Sequence, residues 1–224
     1  MRQLPPMLRQ CSAVIFTLAI TACASVAPTT GPLVSPAIAW QTRQAELGKF
    51  QSWTLNGRIA VKDANDSWNT MIYWRQHNND FDLRFMTHLG QGVAQLNSHS
   101  GNVTLQTPDE QVTAGDVNEL LRNHLGWTVP VQGLRYWVLG LPAPDFVANK
   151  ELDKQGRLVW LEQNGWHIEF VRYWKTGEFE IPRKIMLEHP ELHVRLIIDR
   201  WEPESNRLDQ RNSRHDLMIN DAYN

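Results

Sequence analysis

A chain of 224 residues with 22 Lys and Arg against 24 Asp and Glu carries a formal charge of −2. That near-balance, without a basic cluster, argues against a nucleic-acid partner, and the length suffices for one well-cored domain. Ten tryptophans are many for this size and imply a large aromatic core or an apolar cavity.

The N-terminus reads as an export signal. Arg2 and Arg9 supply a positive start, and Cys11 to Ala22 form an uncharged, mainly apolar stretch. A permanent span needs roughly 20 apolar residues, so a secretory leader fits better. Ile20-Thr21-Ala22-Cys23 resembles the lipobox of bacterial lipoproteins, whose cysteine is diacylated, exposed by cleavage and acylated again. This implies removal of residues 1–22 and lipid attachment at Cys23. Only two cysteines are present. Cys11 leaves with the leader and lipid consumes Cys23, so the mature protein holds no disulfide despite an oxidising compartment. Ala24 stands where an aspartate would resemble the inner-membrane retention signal of enteric bacteria. The expected location is therefore the outer membrane, lipid-anchored and facing the periplasm, and several acyl chains make such an anchor stable.

Residues 23–39 are rich in Pro, Ser, Thr and Ala without an apolar period and read as a flexible tether. A folded domain is expected over 40–202, opening with a short helix over Trp40 to Phe50, where Trp40, Arg43, Leu47 and Phe50 share a face. The period then becomes two. Trp53, Leu55, Gly57, Ile59 and Val61 share one strand face, and Trp68, Thr70, Ile72 and Trp74 share another, with Ala64-Asn65-Asp66 turning between them. Phe81-Leu83-Phe85, Val93 to Asn97 and Val103 to Gln106 complete an antiparallel meander. Thr113 is expected to cap a helix with Asp116 in its first turn and Val117, Leu120, Leu121 and His124/Leu125 at helical spacing, ended by Gly126. Val131 to Leu139 predicts a second helix, stopped by Gly140 and Pro142. Strands resume over Leu158 to Glu162, His167 to Tyr173, Lys184 to Glu188 and Leu192 to Trp201. The tail, 203–224, is polar and expected to be disordered.

These elements predict a mainly β fold with some helix: a curved antiparallel sheet that must curl or close, with helices over one mouth. Its interior is either filled core or a lipid-sized cavity, and both remain open at this point. Reaction chemistry is sparse. There is no G-x-S-x-G, no P-loop, and Gly90-Gln91-Gly92 lacks the third glycine of a dinucleotide motif. His189 and His193 have the spacing of a helical metal pair, yet Pro190 separates them at the entry to a β run. On one strand they would stand about 13 Å apart, too far to share an ion. They read as exposed strand histidines, and no metal, cofactor or catalytic residue is expected.

Four blocks of sequence, in order, resemble the LolB family of outer-membrane lipoproteins. They are Trp53-Thr54-Leu55-Asn56-Gly57-Arg58-Ile59-Ala60-Val61, Ile72-Tyr73-Trp74-Arg75-Gln76, Leu89-Gly90-Gln91-Gly92, and Gly126 to Val131 continuing through Leu134 to Pro142. The last is the most specific, and the similarity runs from Trp40 to about Trp201. It implies an open, unclosed antiparallel β-barrel with a helical lid over an apolar cavity for acyl chains. It also implies acceptance of acylated lipoproteins from a periplasmic carrier (LolA-like) and their insertion into outer-membrane lipid. Trp53, Leu55, Ile59, Ile72, Trp74, Leu83 and Phe85 are the candidate cavity lining. In this family a protruding loop leucine at the place of Leu89 is implicated in moving cargo into the membrane, which makes Leu89 and Gly90 the candidate insertion loop. An exposed leucine beside Gly90 and Gly92 can dip into acyl chains, whereas a leucine tucked under the loop would only pack. The family commonly has proline before this leucine, and His88 stands here, which bears on the loop's rigidity and exposure. The alternative from another class is an envelope lipoprotein that binds a free lipid or hydrophobic signal in a similar barrel. A third is an envelope hydrolase, which would need a convergent polar constellation in a pocket.

Overall fold

Ser35 and Pro36 start the first helix. The Ser35 hydroxyl accepts a hydrogen bond from the Ile38 amide at 3.3 Å, and Pro36 occupies the first turn, where its missing N–H costs nothing. The computed structural model describes residues 35–204, apart from 88, 126, 127 and 145. The leader, Cys23, most of the tether, His88, and the tail beyond 204 therefore lie outside the described residues. Helix α1 is Pro36–Leu47, and it buries Trp40 and Leu47. Residues 36–39, expected as the end of the tether, are therefore helical, because the Ser-Pro cap rather than the first buried side chain sets the start, and the helix ends at Leu47 rather than at Phe50.

Eleven strands follow among the described residues: β1 Ser52–Lys62, β2 Ser67–His77, β3 Asp80–Met86, β4 Gly92–His99, β5 Asn102–Gln106, β6 Gln111–Ala114, then β7 Ala148–Leu152, β8 Leu158–Gln163, β9 Trp166–Thr176, β10 Phe179–His189 and β11 Leu192–Pro203. Helices α2 (Val117–Leu125) and α3 (Val131–Trp137) lie between β6 and β7. All pairings are antiparallel, in the order β6-β5-β4-β3-β2-β1-β11-β10-β9-β8-β7. Every neighbour in that order is also a neighbour in sequence except β1 and β11, which join the two ends of the meander at the sheet's centre. The edges β6 and β7 do not pair with each other, and the helical segment joins them. The result is an open barrel whose missing wall is helix.

The alternation in β1 and β2 matches burial: Trp53, Leu55, Ile59, Val61, Ile72 and Trp74 are all buried. Gly57 has a separate cause. The β1–β11 register shifts at Asn56/Gly57, and a Cβ on Gly57 would lie 2.3 Å from the Ile197 carbonyl oxygen. No side chain fits there.

Several elements depart from expectation. Thr113 is in strand β6, not at a helix cap: its hydroxyl is 2.9 Å from that of Thr104 on β5. Asp116 caps α2 instead, accepting from the Glu119 amide at 2.8 Å. Cross-strand pairing there overrides the local cap signal. Strand β7 (Ala148–Leu152) escapes sequence detection because it is a short, charged edge without alternation. Strand β10 starts at Phe179, ahead of Pro182, which reads as a strand breaker. The sheet absorbs the proline where the β9–β10 register shifts. Strand β11 runs through Pro203, past the expected start of the tail, and the Glu204 amide still donates to Ser52 O at 2.9 Å. His189 and His193 are not on one strand. Pro190 and Glu191 form the β10–β11 turn, His189 is half-buried with its ring 5.1 Å from that of Trp166, and only His193 is exposed.

Candidate functional site

One half of the concavity is solid. Trp53 packs on Trp74 with ring centroids 5.0 Å apart, and Phe50 meets Phe179 at 4.8 Å and Trp201 at 5.2 Å. The other half is hollow. A cavity of about 450 Å³ is walled by the inner faces of β1 to β5, β10 and β11 and by Leu121 of α2, Val129, and Val131 and Leu134 of α3. Among the described residues, Asn69, Thr70 and Thr87 are the polar members of its wall, and none of the described lining residues is acidic, basic or histidine. It has the size of a pocket for one small-molecule ligand, but lacks the convergent polar groups that fix a polar substrate. The aromatic content thus serves core and cavity together.

Of the expected lining residues, Ile59, Ile72, Trp74, Leu83 and Phe85 are on the wall. Trp53 and Leu55 are not: both are fully buried in the solid half, which is where the inward row of β1 leads as it runs back toward Phe50 and Trp201. Sequence alternation identifies the inward face and not the point along a strand at which core gives way to space. Leu96, Leu105, Leu187, Val194 and Leu196 also form the wall. Their signal was the same period of two, extended to the later strands. Leu121 lay in the helical stripe of α2.

The lid is fastened by a glutamine that carries no motif. Gln163 of β8 is buried, and its Oε1 accepts from Trp137 Nε1 at 2.9 Å and from the Ala143 amide at 2.9 Å. Its Nε2 donates to the carbonyls of Ala143 at 2.8 Å and Phe146 at 3.0 Å. One side chain thereby satisfies α3 and the loop after it.

The rim of the cavity is the β3–β4 hairpin. Phe85, Thr87, Val93 and Ala94 face the cavity. Between them the chain makes a tight turn, in which the Thr87 amide donates to Gln91 O at 2.9 Å and the Gly90 amide to Thr87 O at 2.9 Å. Gly90 has φ +79°, a left-handed conformation that glycine adopts without strain. Leu89 stands on this turn and is 88% exposed. Placement under the loop is thereby excluded.

A family described as "Outer membrane lipoprotein LolB" matches residues 51–201. The chain belongs to the LolB family. It is 42% identical over 173 residues to the outer-membrane lipoprotein LolB of Nitrosococcus oceani, covering 76% of this chain and 86% of that one. It is 34% identical over 165 residues to the LolB of Pseudomonas aeruginosa, covering 73% and 80% respectively. Among solved structures, a LolA superfamily protein from Nitrosomonas europaea superposes with a TM-score of 0.51 at 8% identity, over 77% of this chain and 94% of that one. That likeness concerns the open-barrel fold.

LolB membership makes this chain an outer-membrane lipoprotein. Among the described residues no helix is long and apolar enough to cross a membrane, and no group of three or more His, Cys, Asp or Glu is gathered as for a metal ion. The LolB match spans β1 to β11 and both lid helices, so cavity, lid and Leu89 turn all lie within the family's own region.

Proposed function

We propose that this LolB-family chain accepts acylated lipoproteins from a LolA-type periplasmic carrier and inserts them into outer-membrane lipid. The observation that carries the reading is the sharing of one hairpin by the cavity wall and the exposed Leu89. Cargo chains enter an apolar chamber, where burial contributes about 0.8 kcal/mol per methylene. They leave past a leucine placed to enter the acyl region of a bilayer. Each step moves the chains to an equal or better apolar surrounding, so the hydrophobic effect sets the direction and no nucleotide is needed.

Leu89 and Gly90 form the insertion loop in this reading, and Ile59, Ile72, Trp74, Leu83 and Phe85 contact acyl chain. Cys23 carries the anchoring lipid, residues 1–22 are the removed leader, and 23–34 tether the domain. The described lining is almost wholly apolar, which suits acyl chains.

The test loads a LolA-type carrier with a labelled triacylated lipoprotein and adds this protein, then vesicles of outer-membrane phospholipid. Label should move from carrier to this chain and then to the vesicles. Retention on the carrier while the protein is folded would sink the proposal. Tight binding of a free fatty acid without such stripping would favour a free-lipid binder instead.

A further inference from the structure

Thr70 is a polar residue in an apolar wall. It is 8% exposed and faces the cavity in the row Trp68, Thr70, Ile72, Trp74, where valine would fill the same shape. A hydroxyl buried without a partner is costly, so its presence requires an acceptor. The nearer acceptor is the Met86 carbonyl, at 2.6 Å, with the Met71 carbonyl more distant at 3.4 Å.

Met86 is the last residue of β3 before the Leu89 turn. The β3–β4 register also breaks at this point: Phe85 pairs with Ala94 and Met86 with Gly92, leaving Val93 as an extra residue. Such a bulge interrupts the ladder and re-aims the chain beyond it. Val93 turns its side chain to the cavity rim and is 46% exposed. Trp68 meets Phe85 edge-on across the same root, with centroids 6.1 Å apart. Met86 still pairs with Met71 of β2, and at this bulged root the Thr70 hydroxyl adds a side-chain tie to that backbone pairing.

We propose that Thr70 is a positioning residue for the delivery step. Its hydroxyl fixes the Met86 carbonyl and with it the bulged root of the hairpin, so that Leu89 projects from the rim at one angle. The residues that share this root with Met86, Phe85 and Val93, are wall residues of the cavity, so acyl chains leaving the cavity pass the point that Thr70 holds. The inference rests on the transfer reading proposed above.

The test compares wild type, Thr70→Val and Thr70→Ser in the mature lipidated protein reconstituted in phospholipid vesicles. The readouts are cargo taken from the carrier, cargo delivered to the bilayer, and amide exchange at Gly90. In Thr70→Val the ratio of delivery to uptake should fall roughly fivefold, the scale of one lost hydrogen bond. Exchange at Gly90 should quicken by a similar factor, and Thr70→Ser should restore both. A Thr70→Val protein with the wild-type ratio and wild-type exchange overturns the proposal. So does a serine variant that behaves like valine, since the hydroxyl would then be irrelevant. If wild type itself takes no cargo, the transfer reading fails, and exchange at Gly90 alone decides whether Thr70 holds the loop.

Discussion

The indole Nε1 of Trp137 donates to the buried Oε1 of Gln163 at 2.9 Å, joining the last residue of α3 to strand β8. The two lie 26 positions apart in sequence, on either side of the sheet's open edge. A barrel that does not close has no ladder to hold its missing wall. Here a helix replaces that wall, and one amide side chain takes the place of the hydrogen bonds a twelfth strand would have made.

Gln163→Met keeps the length of the side chain and removes all four of its hydrogen bonds. Trp137 Nε1, the Ala143 amide and two carbonyls then lose their partner, and buried groups left this way cost about 1–3 kcal/mol each. The expected loss of stability is about 3 kcal/mol or more, read by chemical denaturation. A loss below about 1 kcal/mol would mean that water replaces the glutamine and that the lid is not held by it.

Much of this architecture was legible in the residues. The inward rows of β1 and β2 follow from alternation of large apolar side chains, and the meander follows from short polar turns. What escaped were features set by distant partners. Thr113 carries a local cap signal, and Thr104 across the strand decides against it. Pro182 signals a break that a bulge absorbs. Trp53 and Trp74 read alike, yet Trp53 lies among Leu47, Phe50, Tyr136 and Leu139 while Trp74 borders the cavity, a division set by segments distant in sequence. Leu89 was legible as an apolar residue just ahead of Gly90 and Gly92, while its exposure depended on the turn that Thr87 and Gln91 close.

Leu83→Trp should occupy the chamber. In a filled core such enlargement costs about 1–3 kcal/mol. Leu83 borders a cavity of about 450 Å³, which has room for the added ring. Stability should therefore change by less than about 1 kcal/mol, while affinity for a fluorescent acyl probe falls at least roughly tenfold, or about 1.4 kcal/mol. Retained affinity in the folded variant would place acyl binding elsewhere.

Leu89→Glu separates folding from delivery. The side chain is 88% exposed, so stability should shift by no more than about 0.5 kcal/mol. A carboxylate resists entry into the acyl region by about 2.5–3.5 kcal/mol on insertion scales. Cargo uptake from the carrier should persist, and delivery to vesicles should drop at least roughly tenfold. Wild-type delivery by this variant would remove Leu89 from the insertion step.

Acid should loosen α1 before the sheet. Arg43 of α1 lies over the Tyr173 ring at 5.1 Å, and Arg157 lies over the same ring at 4.9 Å. Asp153 orients Arg157, accepting from its Nε at 2.7 Å and from its amide at 2.9 Å. Partial burial pushes the Asp153 carboxyl up, but the hydrogen bonds and charge of Arg157 outweigh it and hold the group below its ordinary 3.8. A carboxylate with a depressed folded pKa contributes stability above its unfolded value and loses it as pH falls through the folded one. The contribution should therefore be complete above about pH 4 and decline below it. Amide exchange in α1 measured from pH 6 downward should quicken in that window, ahead of exchange in β1. Asp153→Asn should show the faster exchange already at neutral pH and little further change with acid. Equal acid sensitivity in the variant and wild type would assign the loosening to another carboxylate.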